Sequence, residues 1–426
     1  MDWQTLETRL VDVASAFLDD VLAKSRHPLY AAAFHSSYRE EAGVIDLPSF
    51  AANTLEALRA DHPEDWEKPG FWTVKWRPVD WRWDDTLTDD DALQALNDAL
   101  NKAAIATKTR AQWQAVEQRF LQTVTAAARQ VHERFARHPK VRDDFVVIFS
   151  DDDGGAELAG ASMSPELFKH HFPEQAEAAA LRTRLAGLPL AEQAAYYAGR
   201  LDSDDSETID GEEAERWLIA HGEAAAPLMI TRLADPEKAW DAALVLGLSG
   251  CASDEVLAAL RKAMLDTAYP EDARNWAASA LGHLRDHDWL LSQADDAALL
   301  PFVIQGCTAP FSGFRDRAAQ PAPLDYRPLE RLLQSHPAAL KPVGEAMKPG
   351  TGTCEITPGE VAEALRGLQS PHAPVRWHAA IVLGEPYLGD DAIALARPAL
   401  KAASLKDTNG KVAKMAKASL ARLEQG

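Results

Sequence analysis

A pattern of proline, paired alanines and glycine occurs three times in the second half of the chain and constrains the fold more than any other feature. Its copies end at Gly247, Gly282 and Gly384, each preceded four and five residues earlier by Ala-Ala. Proline is tolerated in the first turn of a helix, and small side chains let a neighbouring helix approach closely. The spacing from Gly247 to Gly282 is 35 residues, and the next gap is close to a multiple of it. Such a period indicates a solenoid of stacked helices, with each glycine expected to form a left-handed cap.

These copies resemble HEAT repeats, in particular the phycobilisome-lyase-like kind. The resemblance rests on Trp240, Ala242, Ala243, Leu246 and Gly247, on Arg274, Trp276, Ala277, Ala278, Leu281 and Gly282, and on Arg376, Trp377, Ala379, Ala380, Leu383 and Gly384. It implies an α-solenoid of HEAT-like helix pairs over residues 179–426. A stretch rich in proline and glycine at 301–352 is expected to be an irregular insertion. Repeats of this kind imply an architecture and no particular chemistry.

Residues 1–178 mix strand-like and helical patterns, which predicts an α+β domain of helices and a small antiparallel sheet. The chain as a whole is therefore expected to be mostly α. Strands are predicted at Leu29–His35, Val44–Leu47, Trp72–Trp76 and Asp144–Ser150, with a partner strand near Ala156–Ala161. Helices are predicted to begin at Pro48 and Ser164, and a long helix is predicted from about Thr109 to His138.

This N-terminal region is similar to the bacterial domain of unknown function numbered 4303. The similarity rests on Leu29-Tyr30, Ala33-Phe34, Asn53–Glu56, Lys75–Trp81, Asp144–Val147, Pro165–Phe168 and Phe172-Pro173. The family implies no activity that can be assigned to a residue. Its members often lie near genes of contact-dependent and polymorphic toxin systems, which suggests an immunity or adaptor role.

The formal net charge of −21 limits the classes of partner. A phosphate backbone requires a basic face, so the charge argues against nucleic acid and favours a partner protein with a basic surface. No apolar run reaches the ~20 residues of a membrane span. Cys251, Cys307 and Cys354 are far apart, and Met1–Gln4 lacks the features of a signal peptide, so we expect a cytoplasmic protein. The sequence does not indicate an oligomeric state.

No catalytic or cofactor-binding motif is found, and no cofactor is expected. The leading hypothesis is a non-catalytic cytosolic bacterial immunity or adaptor protein that binds and masks a basic partner such as a toxin. One alternative is a HEAT-repeat modifier, lyase or chaperone-like protein acting on a protein-bound cofactor. Another is a solenoid like the alkylated-DNA glycosylases, although the basic face that it would need is missing. The candidate protein-binding residues are Trp72, Trp76, Arg77, Trp81, Trp83, Arg274, Trp276, Phe311, Phe314, Arg376 and Trp377.

Two of these segments have alternative interpretations. The tryptophans between Trp72 and Trp83 suit the core of the N-terminal domain as well as a contact surface. The acidic segment 202–213 has oxygen ligands at the spacing of a calcium loop: Asp202, Asp204, Ser206, Asp210 and Glu213. Glu207 stands where that loop needs glycine, so an ordinary acidic loop before a helix is the competing interpretation.

Overall fold

The computed structural model describes residues 1–40, 43–87, 90–151, 155–203, 208–312, 323–348 and 356–425. The chain divides into two units, Met1–Thr183 and Arg184–Gly426. The first contains a four-stranded sheet with helices, and the second is helical throughout its described secondary structure, apart from short 3-10 turns. The predicted fold class is confirmed in these terms, because the protein is mostly α with an α+β N-terminal unit.

The N-terminal unit contains four strands and seven helices in its described part, with the last helix passing into the second unit. The strands are β1 (Leu29–His35), β2 (Ser49–Thr54), β3 (Trp83–Asp85) and β4 (Val141–Ser150). The helices are α1 (Trp3–Lys24), α2 (Leu55–Asp61), α3 (Asp91–Ile105), α4 (Arg110–Phe135), α5 (Gly155–Ala161), α6 (Pro165–His171) and α7 (Pro173–Ala186).

The sheet has the order β3-β2-β1-β4 and is mixed, so the prediction of an antiparallel sheet is wrong. Strand β1 is antiparallel to β2, with Ala33 opposite Ala51, and parallel to β4, with Ala33 opposite Ile148. A parallel neighbour requires a crossover connection, and the long segment containing α3 and α4 provides it. As a result, β1 and β4 end at the same edge of the sheet.

Both faces of β1 are covered, and all seven of its residues are buried. On one face, Phe34 packs against Phe50 with ring centroids 4.6 Å apart, and Phe120 of α4 reaches Phe149 of β4. On the other face, Tyr30 lies in an aromatic cluster with Trp76, Trp81 and Phe172. This two-sided burial explains why β1 is a continuous apolar run rather than an alternating one.

Several local predictions are corrected. Residues 49–54, predicted as helix, form β2, because pairing with β1 and β3 outweighs the helix propensity of alanine. Residues 74–76, predicted as strand, form a 3-10 turn, and the predicted strand at 156–161 is helix α5. The Val44–Leu47 segment contributes only an isolated bridge between Ile45 and Arg39.

The second unit is built from fourteen further helices in the described residues. They are α8 (Leu190–Ala198), α9 (Gly211–Ala220), α10 (Gly222–Leu233), α11 (Ala239–Leu248), α12 (Asp254–Leu265), α13 (Glu271–His283), α14 (His287–Ser292), α15 (Leu300–Thr308), α16 (Arg327–Ser335), α17 (Leu340–Ala346), α18 (Val361–Gly367), α19 (Ala373–Val382), α20 (Asp390–Lys406) and α21 (Gly410–Gln425).

Many helices of this unit pack against the helix two positions further along, which arranges them in two rows. Helices α9, α11, α13, α15, α17, α19 and α21 form one row, while α8, α10 and α12 begin the other. The region 301–352, predicted to be irregular, contains most of α15 and all of α16 and α17, so that prediction is wrong for its described part. Pro301 and Pro328 lie in first helical turns, where proline is tolerated. Residues 313–322 and 349–355 lie outside the described residues.

The repeated glycines act through close helix contact and not as left-handed caps. A Cβ placed on Gly282 would lie 1.9 Å from the carbonyl oxygen of Gly306 in α15, and one on Gly247 would lie 2.7 Å from Cα of Ala280. The left-handed conformation falls three residues later, on Gly250 (φ 72°) and Arg285 (φ 63°). The prediction of glycine caps is therefore wrong, and the glycines set the distance between neighbouring helices of a row.

Substitution of Gly282 with alanine should destabilise the protein by roughly 1–3 kcal/mol, because α13 and α15 must move apart to admit a methyl group beside a backbone oxygen. Gly410, at the start of α21, is the matched control, since a Cβ there meets nothing within 4 Å. Gly410→Ala should change stability by less than about 0.5 kcal/mol. Urea unfolding of both variants measures the difference, and equal midpoints would contradict this account of helix spacing.

A second core feature makes stability depend on pH. The His378 ring is 1% exposed, with Nδ1 2.7 Å from the Tyr326 hydroxyl and Nε2 2.9 Å from the Phe311 carbonyl oxygen. The carbonyl only accepts, so Nε2 carries the proton and Nδ1 accepts from Tyr326. Burial lowers the pKa of His378 to about 4, although the hydrogen bond to Phe311 opposes this shift.

Because the folded-state pKa of His378 lies below the unfolded value of about 6.5, the unfolded chain binds this proton more readily. The full contribution is present above about pH 6.5 and is lost as pH falls through about 4, by up to about 3 kcal/mol. Urea unfolding between pH 7 and 4.5 should show a shallower pH dependence for His378→Gln than for wild type. An unchanged slope in His378→Gln would refute the assignment.

Candidate functional site

The aromatic residues predicted as one contact surface in the N-terminal unit are divided between core and surface. Trp76 and Trp81 are each 4% exposed, and both pack against Tyr30 at 5.8 Å, so they are core residues. Trp72 is 67% exposed, and Trp83 is half-buried on the edge strand β3. Exposed Arg77 pairs with Asp80. The structure thus leaves Trp72, Arg77 and Trp83 on the surface and removes the other two tryptophans from it.

Polar side chains that the sequence analysis did not select border this aromatic core. The His171 ring packs 5.1 Å from Trp76 and its Nε2 donates to the Asp144 carbonyl oxygen at 2.7 Å. Nε2 of His170 lies 3.6 Å from the Asp144 carboxylate, and the Lys75 amino group lies 5.1 Å from the Trp76 ring centroid. The segments Lys75–Trp81 and Asp144–Val147, which carry the family resemblance, therefore meet here.

The charges at this border disfavour a metal ion. Burial lowers the pKa of Lys75 and of His171, whereas the hydrogen bond and charge of Arg142 keep the pKa of Asp144 low despite its partial burial. In the described part of the chain, Asp144, His170 and His171 are the one group of three side chains close enough to share a metal ion. The neighbouring cations Lys75 and Arg142 would repel such an ion. The adjacent pair His170-His171 was the only sequence signal for this group.

The predicted calcium ligands that the structure describes already have protein partners. The Asp202 carboxylate accepts from Arg232 and from Lys238, and the bond to Arg232 is the main cause of its lowered pKa. Asp210 is the N-cap of α9, where its side chain accepts from the backbone N–H of Glu213. Asp204 and Ser206 lie outside the described residues. Asp210 thus caps the start of α9, and Arg232 of α10 holds Asp202 in the preceding loop. These bonds fit an ordinary acidic loop before a helix.

In the helical unit, two neighbouring helices of one row bring two tryptophans together. Trp240 of α11 and Trp276 of α13 have ring centroids 6.5 Å apart, and Trp240 is 44% exposed. Tyr269 lies in the loop before α13, where burial and the charges of Asp266 and Asp235 raise its pKa. We call Trp240, Tyr269 and Trp276 the aromatic patch. Only Trp276 was selected from the sequence, although Trp240 belongs to the same repeated pattern.

Carboxylates border the aromatic patch. Asp235 and Asp266 lie in the two loops that precede α11 and α13, and exposed Glu271 and Asp272 begin α13. Lys238 is the nearby cation on the α11 side, and it is paired with Asp202. An aromatic surface with an acidic border is suited to lysine or arginine side chains, because the ring faces and the carboxylates both attract cations.

The predicted arginines of the repeats mainly connect neighbouring segments. Arg274 donates to the Met264 carbonyl at 2.8 Å and lies 4.2 Å above the Phe302 ring. Arg376, at the equivalent position in α19, forms two bonds with the Asp407 carboxylate at 2.8 and 3.1 Å. These bonds stabilise the stacking of successive helices, so a direct role in partner contact does not follow from them.

The remaining candidates lie near the C-terminal helices. Phe311 is 3% exposed and stacked on Tyr326, so its selection as a surface residue is corrected. Phe314 lies outside the described residues. Trp377 is half-buried, with the Lys411 amino group 5.5 Å from its ring, and it lines a cavity of about 230 Å³ together with Leu340, Glu345, Pro374 and Asn409.

No helix in the described residues is both long and apolar enough to cross a membrane. No curated protein matches the chain. Residues 10–158, which include β1, β4 and Lys75, match the model of one family, described as a domain of unknown function (DUF4303). The resemblance predicted for the N-terminal region is thereby confirmed.

Proposed function

We propose that the second unit is a HEAT-like solenoid that binds a basic segment of a partner protein at the aromatic patch, without catalysis. The observation that carries the proposal is the side-by-side placement of Trp240 and Trp276 on consecutive helices of one row, bordered by carboxylates. Burying an aromatic side chain at an interface contributes more than burying most other residues. Complementary charge adds speed of association and selectivity against acidic partners.

The architecture supports this role. In the row of α11 and α13, α11 packs against α13, and α13 packs against α15. A segment lying across α11 and α13 would meet Trp240 and then Trp276. Its lysine or arginine groups would stack on the rings and approach Asp235 and Asp266, and each cation–π contact is worth roughly 0.5–2 kcal/mol.

The biological setting that we propose is a cytosolic bacterial immunity or adaptor protein, with the partner a basic protein such as a toxin. The net charge of −21 supports the choice of a basic partner. The same charge weighs against a nucleic-acid partner. A modifier of a protein-bound cofactor would need a catalytic group near the patch, and nothing described at the patch suggests one.

The test measures binding of a fluorescent peptide of alternating arginine and glycine to the full chain, by fluorescence anisotropy. Trp240→Ala with Trp276→Ala should weaken binding about tenfold or more, since two ring contacts are lost. Raising the salt from 50 to 300 mM should weaken it further, because exposed charges are screened.

The matched control is Trp289→Ala in α14, a half-buried tryptophan covered by Arg261 5.4 Å away. It should bind the peptide as wild type does. Equal weakening by Trp289→Ala, or none by the double variant, would show that the peptide responds to overall charge alone and would refute the patch. Preference for single-stranded DNA over the peptide would also contradict the proposal.

A further inference from the structure

A second arrangement of polar groups lies in the N-terminal unit, at the edge where β1 and β4 end. In open sheets with parallel strands, the carboxyl ends of the strands are the usual position of functional side chains. Ser36 follows β1 directly and is exposed, while Asp151 follows β4 and is buried. The polar run from His35 to Arg39 therefore begins where the sheet pairing stops.

Ser36 has an unusual backbone conformation. Its φ is 56°, and Arg285 is the one other described residue besides glycine with a positive φ. A left-handed backbone costs a residue other than glycine roughly 1–2 kcal/mol, so the surrounding structure must hold it in place. Such strain is found most often at functional positions.

The segment after Ser36 is fixed by a buried network that holds this conformation. Arg39 forms two bonds with the Asp151 carboxylate, at 2.6 and 2.8 Å, and a third with Glu117 of α4 at 2.9 Å. The Ser37 hydroxyl also donates to Asp151. The Arg39 and Asp151 side chains are only 5% and 3% exposed. The exit of β1 is thus attached to the exit of β4 and to α4.

The Ser36 hydroxyl oxygen lies 2.9 Å from Nδ1 of His35. On the other side of the ring, Nε2 lies 3.0 Å from a carboxylate oxygen of Asp84 in β3. An ionised carboxylate only accepts, so Nε2 carries the proton and the lone pair of Nδ1 faces the serine hydroxyl. Burial lowers the pKa of His35, while the Asp84 charge opposes that shift, so the ring is neutral near pH 7.

We propose that Ser36 is a nucleophile for acyl transfer, with His35 as its general base and Asp84 as a positioning residue. A nucleophile bonded to a base, and a base oriented by a third group, is the arrangement that activates serine. This activity is independent of partner binding at the aromatic patch. The class of substrate is an activated ester, whose alcohol is the leaving group.

The step conserves atoms and electrons. The Ser36 oxygen forms a bond with the ester carbonyl carbon while its proton moves to Nδ1 of His35. The bond from carbon to the alcohol oxygen then breaks, and the imidazolium returns the proton to the departing alkoxide. Water attacks the acyl-serine through the same base, which releases the acid and restores Ser36 and neutral His35. Asp84 stabilises the transient imidazolium.

The experiment treats the full chain with a fluorophosphonate probe, which forms a covalent bond with activated serines and loses fluoride. Peptide mass mapping should find the adduct on Ser36, and other serines of the same molecule serve as the internal control. His35→Gln should slow labelling about 100-fold or more, as expected when a general base is lost. Asp84→Asn should slow it, and Asp84→Glu should recover part of the rate, which a merely structural role would not do.

Circular dichroism of each variant shows that it is folded. If His35→Gln does not fold, labelling of the wild-type chain still decides the matter. A folded wild-type chain with no adduct on Ser36, or with Ser36 labelled no faster than its exposed serines, overturns the proposal. An equal rate in a folded His35→Gln variant also overturns it, because the bond between Ser36 and His35 would then be only a local structural contact.

Discussion

Backbone contact between neighbouring helices of one row is the interaction on which the second unit depends. Gly282 meets the Gly306 carbonyl with no room for a side chain, and a Cβ on Gly384 would lie 2.6 Å from Cβ of Ser419. The alanine pairs before these glycines are fully buried, so α11, α13 and α19 each present a nearly smooth surface to the next helix. With helices this close, side chains on neighbouring helices of a row come within contact distance. The aromatic patch is therefore a consequence of small residues elsewhere in the repeat.

The N-terminal unit depends instead on a parallel strand pair and on one buried ion pair. Parallel pairing of β1 and β4 brings Arg39 and Asp151 to the same edge, where removing both charges from water costs several kcal/mol. Two bonds between guanidinium and carboxylate, with further bonds to Ser37 and Glu117, offset that cost. A buried ion pair adds little net stability. It disfavours other conformations of this segment, because separating the partners would leave a buried charge unpaired. It fixes the chain direction at the end of β1, where His35 is the last residue of the strand and Ser36 follows it.

Elements with a local signal could be predicted from the sequence. The long helix near residues 109–138 is α4, capped by Thr109, and the apolar runs at 29–35 and 144–150 are β1 and most of β4. Elements that depend on distant pairing were missed. Strand β2 reads as helix because only its neighbours make it a strand, and the parallel direction of β4 follows from a crossover that has no short-range signature.

In the candidate sites too, local features could be predicted from the sequence, whereas contacts between distant residues could not. The Trp-Ala-Ala repeat could place Trp276 on a helix, but the contact with Trp240 needs the spacing of the rows. Pairing between His35 and Asp84 joins residues 49 positions apart, and neither has a motif around it. Trp76 and Trp81 could not be separated from Trp72 by composition, because burial there is decided by the sheet face below them.

Some acidic side chains of this protein form ion pairs with arginine and others do not, and this difference affects how a partner would be selected. Several carboxylates form part-buried ion pairs with arginines: Asp241 with Arg232, Asp286 with Arg261 and Asp407 with Arg376. Their charge is compensated within a few ångströms, so they attract nothing at a distance. Asp235 and Asp266 instead accept backbone N–H groups in the loops beside Tyr269 and keep their charge near the aromatic patch. The net charge attracts a basic protein to the whole surface, whereas carboxylates such as Asp235 and Asp266 can direct it to the aromatic patch. Selectivity at the patch therefore depends on which acidic groups the repeat contacts leave uncompensated, and not on the total of −21.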